Sequence, residues 1–247
     1  MRSIRNTTTV MKRELKSYFE SPVAYVFLIA FLLLSGFLTF SISNPGFFER
    51  QVADLQAFFF WHPWVYLLLV PAATMGVWAE ERRTGTIEIL LTMPITMLQA
   101  IMGKFLAAWL FIVLALLLTF PIAIWTWWLG NPDIGVMVCG YMGSALLAGS
   151  YVAIGMLMSS LTKSQVIGFV LSLTVSFLLL LAGWPPITNV FEQCPSIVDF
   201  VAAFSFMPHF ASIQRGVIDI RDIVYFLSIM VFMIFATHIV LENRKSA

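Results

Sequence analysis

Glu80-Glu81-Arg82-Arg83-Thr84-Gly85-Thr86-Ile87-Glu88-Ile89-Leu90-Leu91-Thr92-Met93-Pro94 is the one strongly charged, patterned stretch lying between two long apolar runs. Residues 55–79 before it and 105–132 after it contain no Asp, Glu, Lys or Arg. Five of the fifteen residues are charged, in a chain that is 11% charged overall. A cluster of that kind between two membrane-length apolar segments belongs in water at the rim of a bilayer. Ile87, Leu90 and Leu91 recur at i, i+3 and i+4, so a short helix here carries an apolar ridge. Thr84 or Gly85 can start it, Glu88 suits its positive N-terminal end, and Pro94 stops it. A solvated connecting loop is the plainer alternative. The ridge and its punctuation favour a short amphipathic docking helix, with residues 80–97 as the segment that carries it.

Composition fixes the class. The chain of 247 residues is 60% hydrophobic, with 23 Phe and 8 Trp, and its mean hydropathy is +0.91. A soluble domain of this length could not bury so much apolar surface, so the chain reads as an all-α, polytopic membrane protein. A net charge of +1, with the basic residues scattered along the chain, gives no stripe for nucleic acid. Cys139 and Cys194 have no metal-ligand spacing, and free thiols fit them better than a disulfide framework. No cleavable signal peptide is visible; the first apolar run is long enough to stay in the bilayer.

Six spans account for the sequence, at about residues 23–43, 64–79, 105–129, 134–161, 166–184 and 223–241. Crossing the hydrocarbon core takes roughly 20 apolar residues. Breakers trim the ends: Asn44-Pro45-Gly46, His62-Pro63, Gly130-Asn131-Pro132 and Pro185-Pro186. Six crossings put both termini on one side, and Lys and Arg say which. Of the 14 such residues, only Arg50, Arg215 and Arg221 fall outside if the termini are cytoplasmic, in line with positive-inside bias. Trp61, Trp64, Trp125, Trp127, Trp128 and Trp184 then sit near the outer interface, and Trp78 and Trp109 near the inner one.

Two flanking segments are patterned as well. Met11, Leu15, Tyr18 and Phe19 recur at i, i+4, i+7 and i+8, with Lys12, Arg13 and Lys16 elsewhere on the wheel. Residues 10–21 therefore read as an interfacial helix, apolar face down and basic face towards lipid headgroups, the alternative being a simple positive flank. Residues 185–222 form the longest outer segment. Phe200, Phe204, Phe206 and Phe210 make it too apolar for a solvated loop, so short re-entrant helices capping the outer leaflet are expected.

The fourth span is rich in small residues four apart, including Gly140, Ser144, Ala148 and Gly149, which suits close helix packing better than a substrate path. Pro71 and Pro121 are expected to kink the second and third spans. No charge falls in the middle of a span, which disfavours ion-driven pumps and charged filters. Gly103-Lys104 resembles the end of a phosphate-binding loop only superficially. The first glycine is replaced by Leu98 and the final Ser or Thr by Phe105. The chain is therefore not expected to hydrolyse a nucleotide. His62, His209 and His238 are too dispersed for a metal site.

With its six spans and interfacial N-terminal helix, the stretch from Glu80 to Pro94 resembles the permeases of the ATP-binding cassette type-2 family. Met207-Pro208-His209-Phe210 followed by the run from Arg215 to Phe226 resembles the gliding-motility and copper-enzyme-maturation branch. The resemblance implies a type V exporter-like fold and a dimer with a second permease copy or homologue. Each copy would dock on an ATP-binding cassette ATPase subunit, which holds the ATP and Mg; no cofactor belongs to this chain. It makes residues 80–97 a coupling helix, with Glu80, Glu81, Arg82, Arg83, Thr84, Gly85, Thr86, Ile87, Glu88, Leu90 and Leu91 meeting the ATPase. Met11, Leu15, Tyr18 and Phe19 become the connecting helix. Localisation would be the plasma (inner) membrane of a bacterium, in contact with lipid and with room for an extracytoplasmic partner protein. Two functions fit: an exporter for an apolar or amphipathic substrate, and an ATP-coupled mechanical or assembly component that passes no solute.

Overall fold

Short polar residues decide where four of the helices begin. The computed structural model describes residues 2–42, 47, 52–87, 95–183 and 203–243. Helix α1 (Arg2–Glu20) turns at Ser21, whose hydroxyl accepts from the Val23 N–H at 3.3 Å. Pro22 then opens α2 (Pro22–Phe37), which runs on into a π-helical turn, Leu38–Ile42. The second span is α3 (Gln56–Thr74) followed by α4 (Gly76–Thr84), which ends at Gly85 with φ +75°. That left-handed turn is one glycine adopts without strain. A reciprocal cap between Thr96 and Gln99 starts α5 (Met97–Leu117). After a break at Thr119, Pro121 lies in the first turn of α6 (Phe120–Leu129). The Asp133 carboxylate caps α7 (Ile134–Leu161), and α8 (Gln165–Leu181) follows. Ser205 caps α9 (Phe206–Gln214), and α10 (Ile220–Asn243) closes the described chain. Among the described residues all regular structure is helical.

Five stretches are long and apolar enough to cross a membrane: Pro22–Ser41, Gln56–Thr84, Met97–Leu129, Ile134–Leu161 and Ile220–Asn243. The remaining expected span corresponds to α8, which has 17 residues. Its C-terminal continuation from residue 184 lies outside the described residues. The helices overrun the sequence-based boundaries because hydropathy marks the apolar middle of a helix and not its capped ends. Thus α3 begins at Gln56, α5 at Met97 and α10 at Ile220.

Helix α7 is the hub, with 78% of its most apolar window buried against 22% for α10. Its small residues explain this. A side-chain carbon at Gly140 would collide with the Phe59 ring of α3. At Gly143 it would lie 2.8 Å from Ile213 of α9, and at Gly149 2.6 Å from Met230 of α10. Each glycine is a dent that receives a neighbour, the close-packing role expected of them. The outward faces of α2, α6, α8 and α10 stay apolar; Trp125, Trp127 and Trp128 are all more than 60% exposed. Such faces are suited to lipid.

Candidate functional site

Lys104, two turns into α5, is 3% exposed. A buried ammonium is costly unless paired and hydrogen-bonded, and Lys104 is paired twice. Its Nζ lies 2.8 Å from Oε1 of Glu81 on α4 and 3.2 Å from Oε2 of Glu14 on α1. It also sits 5.1 Å from the ring centroid of Trp78, a cation–π contact. Burial on its own raises the Glu14 carboxyl. Lys104 and Arg13 outweigh that effect and hold the carboxyl below its ordinary value. One cation therefore fastens three helices at one end of the bundle.

The contact between α1 and α5 is regular. Asn6 Nδ2 donates to Gln99 Oε1 at 3.3 Å. Val10 fills the space over Gly103, where a side-chain carbon would approach it to 2.7 Å. Tyr18 stacks on Phe111 with ring centroids 4.9 Å apart. Asn6, Val10, Glu14 and Tyr18 are four apart along α1, and Gln99, Gly103 and Phe111 belong to the matching row of α5. Both rows advance together, so the helices run in the same direction with i+4 ridges interlocked. Tyr18 is further anchored by donating its hydroxyl to the Ala73 carbonyl of α3 at 3.2 Å.

Helix α4 is joined to α3 through an interrupted ladder. A continuous helix would bond the Trp78 N–H to the Thr74 carbonyl. Instead α3 ends at Thr74 and α4 starts at Gly76, and the Ser159 hydroxyl of α7 stands at the break. It accepts from Ala79 at 3.0 Å and Trp78 at 3.1 Å, and donates to the Met75 carbonyl at 2.7 Å. An inserted side chain of this kind breaks a helix direction. The break falls four residues after Pro71, the proline expected to kink this span. Beyond it, Arg82 donates to the Ser160 carbonyl at 2.6 Å. Glu80 pairs with Arg83 at 2.7 Å and accepts from Gln165 of α8.

The residues singled out in the sequence fall as follows. Glu80, Glu81, Arg82, Arg83 and Thr84 form the last two turns of α4, continuous with the apolar part of that helix, and Gly85 ends it. Ile87 packs on the core; Glu88, Leu90 and Leu91 lie outside the described residues. On α1, Leu15, Tyr18 and Phe19 pack against the core, and Met11 is partly buried beside them. At the other end Phe206 and Phe210 are buried in the bundle, whereas Phe204 is exposed; Phe200 and Cys194 lie outside the described residues. Cys139 is a buried free thiol. The three histidines are apart, His62 on Ser144, His209 on Asp222 and His238 on Glu242. The described residues contain no cluster able to hold a metal ion.

One reading is corrected. Trp78 is fully buried beneath Lys104, so it is not part of an interfacial aromatic belt. Glu14 carried no sequence signal of its own, Ser159 was one of the small residues of the fourth span, and Gly103 drew notice only beside Lys104; each matters through a partner far along the chain.

A family model described as ABC-2 family transporter protein matches residues 8–202. No curated protein matches the chain.

Proposed function

The chain belongs to the ABC-2 family of transporter proteins, and from that premise we propose that it is the permease subunit of an ATP-driven exporter. Two permease copies pair, and each docks on a separate ATPase subunit through the segment that follows Gly85. The end of the bundle holding Lys104 faces the cytoplasm with both termini, as the distribution of Lys and Arg favours. The observation that carries this reading is the Lys104 node. A push on the chain after α4 is transmitted through Glu81 to Lys104 and from there to α1 and α5. Three helices move as one body about the break that Ser159 holds. With few polar groups along the spans, an apolar or amphipathic substrate fits best.

The decisive experiment uses the lone chain and the complex side by side. The purified chain should release no phosphate from ATP, and the complex should. Leu90→Asp, which puts a charge on the proposed docking ridge, should lose the ATPase subunit on co-purification, while the exposed Arg83→Ala retains it. Equal retention in both variants, or turnover by the lone chain, overturns the reading.

A further inference from the structure

Residues 207–210 and 215–226, which stand out in the sequence, meet at one side chain. His209 of α9 lies between α10 and the backbone that leads into α9. Its Nδ1 is 2.7 Å from Oδ1 of Asp222, and its Nε2 is 3.3 Å from the Ala203 carbonyl oxygen. The ring stacks on Tyr225 with centroids 3.9 Å apart, and the Tyr225 hydroxyl donates to the Phe204 carbonyl at 2.6 Å. Ser205 then caps α9 and donates its hydroxyl to the Leu180 carbonyl of α8 at 3.3 Å. The entry to α9 is therefore held at Ala203, Phe204 and Ser205 in turn. Of the three contacts, only that of His209 involves a group that changes charge near neutral pH.

Proton counting fixes the state of that contact. A carboxylate and a carbonyl are both acceptors, and a neutral imidazole has one N–H. It can serve Asp222 or Ala203, never both. Both contacts are made only with one further proton on the pair, as imidazolium and carboxylate or as neutral imidazole and carboxylic acid. Burial asks for the same proton. Asp222 is 6% exposed, and its Oδ2 has no hydrogen-bond partner among the described residues. A carboxylate so placed is costly without a cation beside it, and among the described residues His209 alone pairs with it. Arg215 donates to the Ala211 carbonyl; Arg221 is exposed, and its N–H donates to Asp219. Helix α9 also packs on α3, α7 and α8. On α3 and α7, His62 bonds to Ser144, Tyr66 stacks on His62, Tyr141 bonds to Thr119, Tyr151 donates to the Pro63 carbonyl, and Cys139 is a buried thiol. Helix α8 carries no titratable group, and on α10 His238 and Glu242 pair with each other.

We propose that His209 and Asp222 form a proton-operated latch on α9. With the extra proton, His209 ties the Ala203 carbonyl to α10, and α9 stays seated where Phe210 and Ile213 meet Gly143 of α7. Without it, the charge-assisted bond from Nδ1–H to Asp222 is kept, Nε2 has no hydrogen to donate, and the entry to α9 is released. The latch is independent of what the chain exports, and of whether it exports anything. Amide hydrogen exchange of residues 203–214 in the purified full chain, corrected for the intrinsic effect of pH on exchange, reads it. Protection should fall about tenfold from about pH 5.5 to about pH 8, the effect of losing one hydrogen bond from a charged donor. Asp222→Asn separates the latch from a plain ion pair. The asparagine amide can donate to Nδ1, which leaves the Nε2–H of a neutral imidazole for Ala203, so protection should persist at the higher pH. His209→Gln has no titrating group at the position and should be equally protected at both pH values; if one variant fails to fold, the other decides. A flat profile in the unaltered chain, loss of protection at the higher pH in Asp222→Asn, or a fall with pH retained in His209→Gln overturns the proposal.

Discussion

Lys104 Nζ and Glu81 Oε1 meet at 2.8 Å, joining α5 to the last turns of α4 inside protein that excludes most solvent. The pair is asymmetric. Glu81 is the nearer of two carboxylates on Lys104, but Lys104 is the only cation paired with Glu81 among the described residues. Lys104→Met should therefore leave two half-buried carboxylates without their shared ammonium and lower stability by about 3–5 kcal/mol. Glu81→Gln should cost less, because Glu14 still pairs with the lysine. Unfolding midpoints in one detergent compare the two, and a larger loss in Glu81→Gln would contradict the ranking.

The Ser159 hydroxyl satisfies three backbone groups of the broken ladder. Ser159→Ala leaves the helix two choices. Either the groups stay buried and unsatisfied, at about 1–3 kcal/mol each, or the Trp78 N–H closes onto the Thr74 carbonyl and the helix straightens. Straightening is the cheaper outcome, so α4 should swing relative to α8. Spin labels at Arg83→Cys and Lys163→Cys, both on exposed positions, should then report a shifted distance distribution. An unchanged distribution would mean that the break is held by packing and not by the hydroxyl.

Much of this architecture was legible in one dimension because lipid imposes a simple pattern. Long runs without charge must be helices, since only a helix or a closed barrel satisfies its backbone in hydrocarbon. The glycines of α7 signalled close packing correctly, whereas the break in the second span is held by Ser159, which Pro71 did not point to. The site was harder to see. A stripe such as Asn6, Val10, Glu14 and Tyr18 mixes polar, aliphatic, acidic and aromatic residues, and no hydrophobic periodicity finds it. Its logic lies in the partner row on α5, which begins 93 positions later at Gln99. Lys104 looks like an ordinary flanking charge until Glu14 and Glu81 are seen to converge on it. Trp78 misled for a related reason, since a tryptophan near a predicted interface is as apt to lie under a cation as among headgroups.

Acid should loosen α1. With its carboxyl held below the ordinary 4.5 by Lys104 and Arg13 against the effect of burial, Glu14 stabilises the fold at every pH above that ordinary value. The contribution is lost as pH falls through the folded-state value, because the unfolded chain then binds the proton more readily. Stability should be flat in this term from neutral pH to about 5 and decline below it. Glu14→Gln should be less stable at neutral pH and show a shallower acid limb. Parallel limbs in the two proteins would show that Glu14 has no part in the acid response.

Phe206 and Phe210 place α9 as a plug in the end of the bundle opposite Lys104, with Phe206 5.1 Å from the Tyr151 ring and 6.2 Å from that of Phe226. Phe204, two residues earlier, is 54% exposed. Removing a buried aromatic leaves a cavity, so Phe206→Ala should cost about 3–5 kcal/mol. Phe204→Ala should change stability by about 0.5 kcal/mol or less. The same contrast carries over to chemistry from the proposed outer side. Cysteine at Asp219, an exposed position in the turn before α10, should react with a membrane-impermeant thiol reagent added outside intact cells. Cysteine at Phe210, 2% exposed, should stay unmodified until the protein is denatured. Labelling of Phe210→Cys as fast as Asp219→Cys would mean that α9 leaves the bundle in the membrane, and labelling of Asp219→Cys only after cell lysis would reverse the proposed orientation.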